Sequence, residues 1–249
     1  MTERSEQFST RPGQRQPCIT IQYALEFMTV QPTVLSTWGG GYGELIASIL
    51  CEPTGLRGIL FDLAHATAAA CSRLAAAGVE ERCALVTGSF FDTIPGAADA
   101  YLLKSVLHDW DDDQAVTILD NCRRVMEPNA KLFVIERIAP QHFCDSPRDQ
   151  RVARSDLNML VSTGGRERTE AQYRELLGAA RLRVTRLLPL GDPYCVIESR
   201  PEKCSVASIL NFVSGFHSRA GPHSSRGTTM NSRTVIVELR NDDLESLLR

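Results

Sequence analysis

The chain has 249 residues, of which 43% are hydrophobic and 23% charged, and its formal net charge is −3. These values are typical of one globular domain that is large enough to bury a substantial core. The slight acidity argues against nucleic acid or an anionic membrane as a partner, because such binders carry a clear basic excess. No stretch approaches the roughly 18 apolar residues of a membrane span, and the start lacks the apolar core of a signal peptide. We therefore expect a cytoplasmic protein.

The eight cysteines are scattered along the chain. They form no CxxC pair and no His/Cys spacing typical of a zinc site. In a chain without a secretory signal they are most simply reduced thiols, several of them small core residues. We expect neither a disulfide framework nor a metal site, although the pattern leaves a catalytic cysteine open.

Composition divides the chain into three zones. Residues 1–17 are polar and lack periodicity, which predicts disorder. Residues 18–201 alternate apolar, strand-like runs with helical patterns and form the predicted domain. Residues 202–249 are rich in Ser, Arg, Gly and Thr, which predicts a loosely ordered tail. Within that tail, Ser205–Phe216 could form a short helix and Thr234–Leu239 a short strand.

Strands and helices are predicted in alternation within the central zone. The predicted strands are Thr33–Trp38, Gly58–Phe61, Ala84–Thr87, Ala100–Leu103 and Lys131–Glu136. The predicted helices are Glu44–Leu50, Ala64–Ala77, Asp112–Met126 and Glu170–Ala180. Gly78 lies where a left-handed residue would end the second helix. The acidic run Asp111–Asp113 lies where it would cap the third helix, an interpretation that we favour over metal binding.

The order of these elements predicts the fold class. Strands that alternate with helices favour a parallel sheet with right-handed crossovers. At the end of the zone, residues 182–188 and 194–199 are joined by a short Gly/Asp/Pro loop without a helix, which predicts an antiparallel hairpin. We expect an α/β fold whose mostly parallel sheet ends in one antiparallel strand.

A glycine cluster follows the first predicted strand and precedes a helix. Glycines allow a tight turn there, and the helix N-terminus offers unpaired N–H groups to a ligand, although a flexible turn is the simpler alternative. The dinucleotide pattern G-x-G-x-x-G and the Walker pattern both fail, which leaves G-x-G-x-G at Gly39, Gly41 and Gly43. Asp62 ends the next strand about 20 residues on, where an acid can bind ribose hydroxyls. A nucleoside without a pyrophosphate fits both observations, so S-adenosylmethionine is favoured and a dinucleotide oxidoreductase is disfavoured.

Several longer motifs resemble the catalytic domain of small-molecule O-methyltransferases, the plant caffeate-type enzymes and their bacterial relatives. They are GGGYGELIASIL, FDLAHA, GSFFDTIPGAADAYLLKSVLHDWDDDQAVTILDNCRR, KLFVIERI and DLNMLVSTGGRERTEAQYRELL. The resemblance runs from about Ile21 to Pro201, and LLKxVLHDWDD followed by GGRERT is its most specific part. It implies an S-adenosylmethionine-dependent transferase with a Rossmann-like class I methyltransferase fold, in which a seven-stranded sheet ends in a reversed strand.

The resemblance also implies roles for individual residues in cofactor binding. Gly39 would lie against the methionine part of the cofactor, and Asp62 would bind the ribose. Ser89 and Phe90 would flank the adenine, and Lys104 would be a further contact. The alternative for Lys104 is a solvated side chain at a strand end. The alternative for Phe90, which is paired with Phe91, is a position in the core.

His108 matches the general base of the family, and Glu136 and Glu167 match the two acids that hold it. His108 follows a predicted parallel strand, and open α/β sheets bind ligands beyond the carboxyl ends of such strands. A histidine with a pKa near about 6.5 can accept a hydroxyl proton, and carboxylates can orient its ring. A structural role for the histidine, and surface or salt-bridge roles for the carboxylates, are the alternatives.

The chain departs from the family pattern at several points. Thr37 replaces a carboxylate before the glycines, a bulky Trp38 enters the turn, and Ser89 replaces the acid on the adenine side. Family members are homodimeric through a helical, winged-helix-like region that precedes this domain, so the resemblance implies that the dimerisation domain is missing. Family members also stop soon after the last strand, which makes the tail atypical.

Two functions are consistent with these observations. The first is methyl transfer to an aromatic or polyketide-like hydroxyl, with an acceptor pocket that includes Asn158, Met159 and Ser162. The second is a truncated, catalytically silent module that acts through partner binding or has no function.

Overall fold

The computed structural model of the protein describes residues 33–52, 55–92, 94–190 and 194–202. The disorder predicted for residues 1–17, the short helix 205–216 and the short strand 234–239 lie outside the described residues. The chain divides into two units, Met1–Lys203 and Cys204–Arg249. The description below concerns the first unit.

One sheet forms the centre of this unit. Its strands are β1 (Val34–Trp38), β2 (Arg57–Asp62), β3 (Cys83–Thr87), β4 (Ala100–Lys104), β5 (Lys131–Ala139), β6 (Arg168–Thr169), β7 (Leu182–Pro189) and β8 (Tyr194–Pro201). The order across the sheet is β3-β2-β1-β4-β5-β8-β7, and the two-residue β6 pairs with the end of β5. Strands β1 to β5 are parallel, whereas β8 is antiparallel to both of its neighbours. The predicted mostly parallel sheet with a reversed last strand is confirmed.

In the described part of this unit, five helices connect and cover the strands. They are α1 (Glu44–Cys51), α2 (Ala64–Ala77), α3 (Asp112–Val125), α4 (Pro147–Ser162) and α5 (Glu170–Ala179), with short 3₁₀ turns at Glu80–Arg82 and Leu107–Asp109. The four predicted helices are present with ends that differ by at most one residue. Helix α4 was not predicted from the sequence. Two signals for a helix start are nevertheless present, because Ser146 caps its N-terminus and Pro147 occupies its first turn.

The sheet is covered on both faces, which gives three layers. Helices α1 and α2 pack on one face, where Ile46 and Leu74 belong to the same apolar cluster as the strand residue Leu60. Helices α3 and α5 pack on the other face, where Ile118 and Tyr173 belong to a second cluster. Among the described residues, no helix combines the length and the apolar character needed to cross a bilayer.

The local signals at two helix ends act as predicted. Gly78 ends α2 in the left-handed region with φ 67°, where a residue with a Cβ is disfavoured. Asp111 begins α3, and its side chain accepts a hydrogen bond of 2.8 Å from the backbone N–H of Gln114. Asp111, the first residue of the acidic run, is therefore a helix-capping residue.

Trp38 corrects one expectation. It is the last residue of β1 rather than part of the turn, and its side chain is buried. The indole packs edge-on against Tyr101, with ring centroids 5.1 Å apart, and also against Phe61. Its Nε1 donates a hydrogen bond of 2.8 Å to the Ser36 hydroxyl. The bulky Trp38 side chain is therefore part of the core, and the turn begins at Gly39.

Candidate active site

The predicted site residues gather at one edge of the sheet. Strands β1, β2 and β4 are parallel neighbours, so their carboxyl ends meet at the same edge. The glycine loop follows β1, Asp62 ends β2, and Lys104 ends β4. His108 follows four residues after Lys104, in the 3₁₀ turn Leu107–Asp109.

The glycine loop is held in shape by β2. Gly39, Gly41 and Gly43 have φ angles of 64°, 54° and 79°, a region that other residues rarely adopt. The Gly39 N–H donates to the Phe61 carbonyl at 3.1 Å, and the Gly41 N–H donates to the Asp62 carboxylate at 2.8 Å. Asp62 therefore stabilises the loop directly, in addition to any role in binding a ligand.

A cleft of about 210 Å³ opens beside this loop. Its lining residues are Thr37, Trp38, Gly39, Gly40, Gly41, Tyr42, Glu44, Leu45, Leu102 and Lys104. Of the residues predicted to bind a cofactor, Gly39, Gly41 and Lys104 line the cleft. A Cβ on Gly41 would meet no atom within 4 Å, so the loop leaves free space there.

The other predicted cofactor residues lie around the cleft rather than in its lining. Gly43 is the N-cap of α1. The Phe90 ring comes within 3.3 Å of the place that a Cβ on Gly39 would take, and it packs edge-on against Phe61. Ser89 lies in the adjoining turn, where its hydroxyl accepts a hydrogen bond from the Phe91 N–H.

His108 lies between carboxylates. Its side chain is 8% exposed, with Nδ1 at 3.4 Å from Glu136 Oε2 and 3.6 Å from Glu167 Oε1. On the other side of the ring, Nε2 lies 3.6 Å from Asp109 Oδ1. The structure therefore brings together the three residues that were predicted to act in proton transfer.

Glu136 is fully buried in β5, which excludes the alternative that it is a surface side chain. Its Oε1 accepts hydrogen bonds of 2.9 Å from the backbone N–H groups of Val106 and Leu107. Its Oε2 faces His108 and has no hydrogen-bond partner among the described residues. One carboxylate thus holds both the start of the 3₁₀ turn and the imidazole that the turn carries.

Glu167 is also buried, and three residues that the sequence did not single out hold it. Its Oε1 accepts a hydrogen bond of 2.6 Å from the Ser155 hydroxyl and one of 3.3 Å from the Arg137 guanidinium. Its backbone N–H donates to Asp156 Oδ1 at 2.8 Å. Ser155 and Asp156 lie on α4, the helix that was not predicted. Asp156 begins the motif that contains Glu167, but the motif assigned it no role.

These contacts determine the protonation of the cluster. Burial acts to lower the pKa of His108, but contact with Glu167 and the charges of Glu136 and Asp109 outweigh it and raise that pKa. Burial raises the pKa of Glu136 to about 7, although His108 and the two backbone donors oppose this. Burial opposes ionisation of Glu167 as well, yet His108, Ser155 and Arg137 hold its pKa below the usual value. Glu167 is therefore ionised at neutral pH, while Glu136 and His108 titrate as a coupled pair.

The predicted acceptor residues lie on α4. Asn158 and Ser162 are exposed and Met159 is half-buried. A second cleft of about 420 Å³ lies beside this helix, lined by Asp111, Asp112, Asp156, Leu160, Gly164, Gly165 and Arg166. None of the three predicted residues lines it. In the part of the chain that is described, no group of three or more His, Cys, Asp or Glu side chains could hold a metal ion.

Comparison with known proteins relates this site to one family. A family model described as an O-methyltransferase domain matches residues 4–183. A phenazine O-methyltransferase from Lysobacter antibioticus is 41% identical over 163 residues, which cover 66% of this chain and 47% of the relative. A mitomycin biosynthesis 6-O-methyltransferase from Streptomyces lavendulae is also 41% identical, over 65% of this chain and 45% of the relative. The chain thus spans about half the length of the curated relatives that it matches.

A solved structure of an O-methyltransferase from neocarzinostatin biosynthesis is similar as well. It contains S-adenosylmethionine and 2-hydroxy-5-methyl naphthoic acid, and it is 30% identical to this chain. The TM-score is 0.62, and the match covers 74% of this chain and 56% of the solved one. Residues 4–183, which the family model matches, contain the glycine loop and the His108 cluster.

Proposed function

Since the chain belongs to the O-methyltransferase domain family, we propose that it transfers a methyl group from S-adenosylmethionine to a hydroxyl group of a small aromatic or polyketide-like molecule. The observation that supports this most directly is the position of His108, between Glu136 and Glu167 and beyond the end of the strand next to the glycine loop. Such a cluster can remove a proton beside a bound nucleoside.

The cleft beside the glycine loop has the groups that S-adenosylmethionine requires. The Lys104 ammonium can pair with the carboxylate of its methionine part, and Asp62 has lone pairs left for ribose hydroxyls. Thr37 offers a hydroxyl where relatives of the plant caffeate type have an acid. The Phe90 ring next to Gly39 can cover the adenine. When bound, the cofactor supplies an electrophilic methyl group on a sulfonium.

His108 supplies the base for the acceptor hydroxyl. Its Nδ1 faces both carboxylates, so the proton is assigned to Nδ1 and the lone pair to Nε2. Nε2 can then take the hydroxyl proton as the oxygen becomes nucleophilic. The ionised Glu167 stabilises the imidazolium that results, and Glu136 keeps the ring oriented through the backbone of its turn.

The experiment compares His108→Ala with the wild-type chain, and His65→Ala, an exposed histidine on α2, is the matched control. Calorimetric titration measures S-adenosylmethionine binding, and a methyl-labelled cofactor measures transfer to a panel of phenols and hydroxynaphthoic acids. We expect binding to be unchanged in both variants. We expect turnover to fall about 10²–10⁴-fold in His108→Ala alone, which is the usual contribution of a general base.

Each part of the proposal can fail separately. Unchanged turnover in His108→Ala would show that this histidine is not the base. A chain that binds NADH but not S-adenosylmethionine would overturn the cofactor assignment. A chain that binds S-adenosylmethionine but methylates no acceptor would instead be a catalytically silent module.

A further inference from the structure

Arg168 has a guanidinium that is fully buried and points at the His108 turn. Its Nη1 donates a hydrogen bond of 2.7 Å to the Leu107 carbonyl, and its Nη2 donates one of 2.7 Å to the Trp110 carbonyl. Its Nε donates at 3.0 Å to the carboxylate of Asp112, in the first turn of α3. One side chain therefore contacts the backbone on both sides of His108 and the helix that follows.

The place of Arg168 in the chain couples this contact to the proton-transfer cluster. Arg168 is in register with Ile138 in the parallel pairing of β6 with β5, two residues beyond Glu136. It directly follows Glu167, which contacts the imidazole. Side chains of successive residues on an extended segment point in opposite directions. Glu167 can thus contact the ring of His108 while Arg168 holds its backbone.

We propose that Arg168 is the positioning residue of His108, and that it holds the turn Leu107–Asp109 so that Nδ1 stays against Glu136 and Glu167. Its consequence for catalysis rests on the function proposed above, but its effect on the position of the imidazole does not. Arg168 is not among the residues that line the cofactor cleft, and its described hydrogen bonds go to the backbone of the turn and to Asp112 rather than to the ring. It therefore acts on the imidazole through the turn and the start of α3.

The chemistry of the contact explains why an arginine is required. The two carbonyl oxygens and the Asp112 carboxylate are separate acceptors, and only a planar guanidinium offers donors to all of them in a fixed fork. A lysine could reach only one of these acceptors and would leave the others without their guanidinium donor. An apolar residue would leave both carbonyls and the half-exposed carboxylate without this partner.

The experiment uses Arg168→Lys and Arg168→Met in the full chain. Arg174→Met is the matched control, because Arg174 is an exposed arginine on α5 that, within the described ranges, pairs with Glu170 of the same helix and not with the His108 turn. The main readout is the pKa of His108 from the NMR titration of its ring. The protein has five histidines, and the His108→Ala spectrum identifies the signal. Thermal unfolding and S-adenosylmethionine calorimetry complete the set.

We expect the pKa of His108 to fall towards its ordinary value in both Arg168 variants, because the ring leaves the two carboxylates. S-adenosylmethionine affinity should stay within about threefold of wild type, since Arg168 does not contact the glycine loop. Where an acceptor is methylated, kcat should fall about 100-fold with an unchanged KM for the cofactor, the effect of a displacement of about 1 Å. Arg174→Met should match wild type in every measurement.

The outcomes distinguish this proposal from the proposed function. A shifted His108 titration without methyl transfer in any variant would support the positioning role and count against the enzyme activity. Folded Arg168 variants in which His108 titrates as in wild type would overturn the positioning role. It would also be overturned if both variants lost cooperative unfolding, because Arg168 would then maintain the whole fold rather than one turn.

Discussion

Gly165 lies against the backbone of the turn that carries His108, so its replacement by alanine tests how closely that turn must be held. A Cβ at this position would lie 2.0 Å from the His108 carbonyl oxygen, and it would also clash with the backbone of Asp109 and Trp110. Ordinary contact begins at about 3.4 Å, so the two backbones must separate by about 1.4 Å. All three contacts are with backbone atoms, so no side-chain rotation can relieve them.

We expect Gly165→Ala to lower kcat about 100-fold or more, since a displacement of about 1 Å at a reacting group has that effect. Overpacking should also cost about 1–3 kcal/mol in the free energy of unfolding. S-adenosylmethionine affinity should not change, because the glycine loop lies on another segment. Turnover with an acceptor from the phenol panel, urea unfolding and calorimetry measure these three quantities.

The neighbouring glycine provides the control. Gly164 has φ 80°, but a Cβ there would meet no atom within 4 Å. Gly164→Ala should therefore cost about 1–2 kcal/mol of left-handed strain and leave kcat nearly unchanged. The reasoning is wrong if Gly165→Ala keeps wild-type turnover, or if both alanine variants lose turnover equally.

Two further substitutions test the charge of the cluster and the shape of the loop. Glu136→Gln keeps an acceptor for the turn but removes a charge, so the pKa of His108 should fall and the acid limb of the pH–rate profile should move to lower pH. Because folding raises the pKa of Glu136 from 4.5 to about 7, native protein binds more protons than unfolded protein in that range. The stability of the wild-type protein should therefore fall as the pH rises through this range. The Glu136→Gln variant should show a smaller difference in Tm between about pH 5 and about pH 8. Gly39→Ala places a Cβ 2.6 Å from Val106 at a φ of 64°, so we expect a loss of cofactor affinity in calorimetry, whereas Gly55→Ala, with similar φ and open space, should bind normally.

Most of the fold could be predicted from the sequence because its signals are local. Alternating apolar runs and helix formers placed the strands and four helices, and Gly78 and Asp111 marked helix ends through their own backbone and side-chain chemistry. The antiparallel pairing of β7 with β8 was predicted from the short Gly/Asp/Pro segment that joins them. The insertion of β8 between β5 and β7 depends on pairing between distant segments, which no local pattern shows.

The candidate site was predictable only in part. Motifs identified His108, Glu136 and Glu167, and the structure brings these three together. The residues that hold them were not predicted: Ser155 lies on an unpredicted helix, and Arg168 belongs to the GGRERT motif, which does not show that its side chain is buried against the His108 turn. The effect of Trp38 was also misjudged, since its burial depends on the rings that β2 and β4 place beside it.

The inserted position of β8 also has a consequence for biosynthesis. Residues 132–137 of β5 pair with β8, which is the last strand of the sheet to leave the ribosome. Until then β5 has an open edge, and β7 has no neighbour through which to join the sheet. Unpaired apolar strands associate readily with other chains. A nascent chain that has reached β7 but not Tyr194 thus has an open β5 edge that other chains can pair with, and the strand bearing Glu136 obtains its second neighbour only when β8 is made.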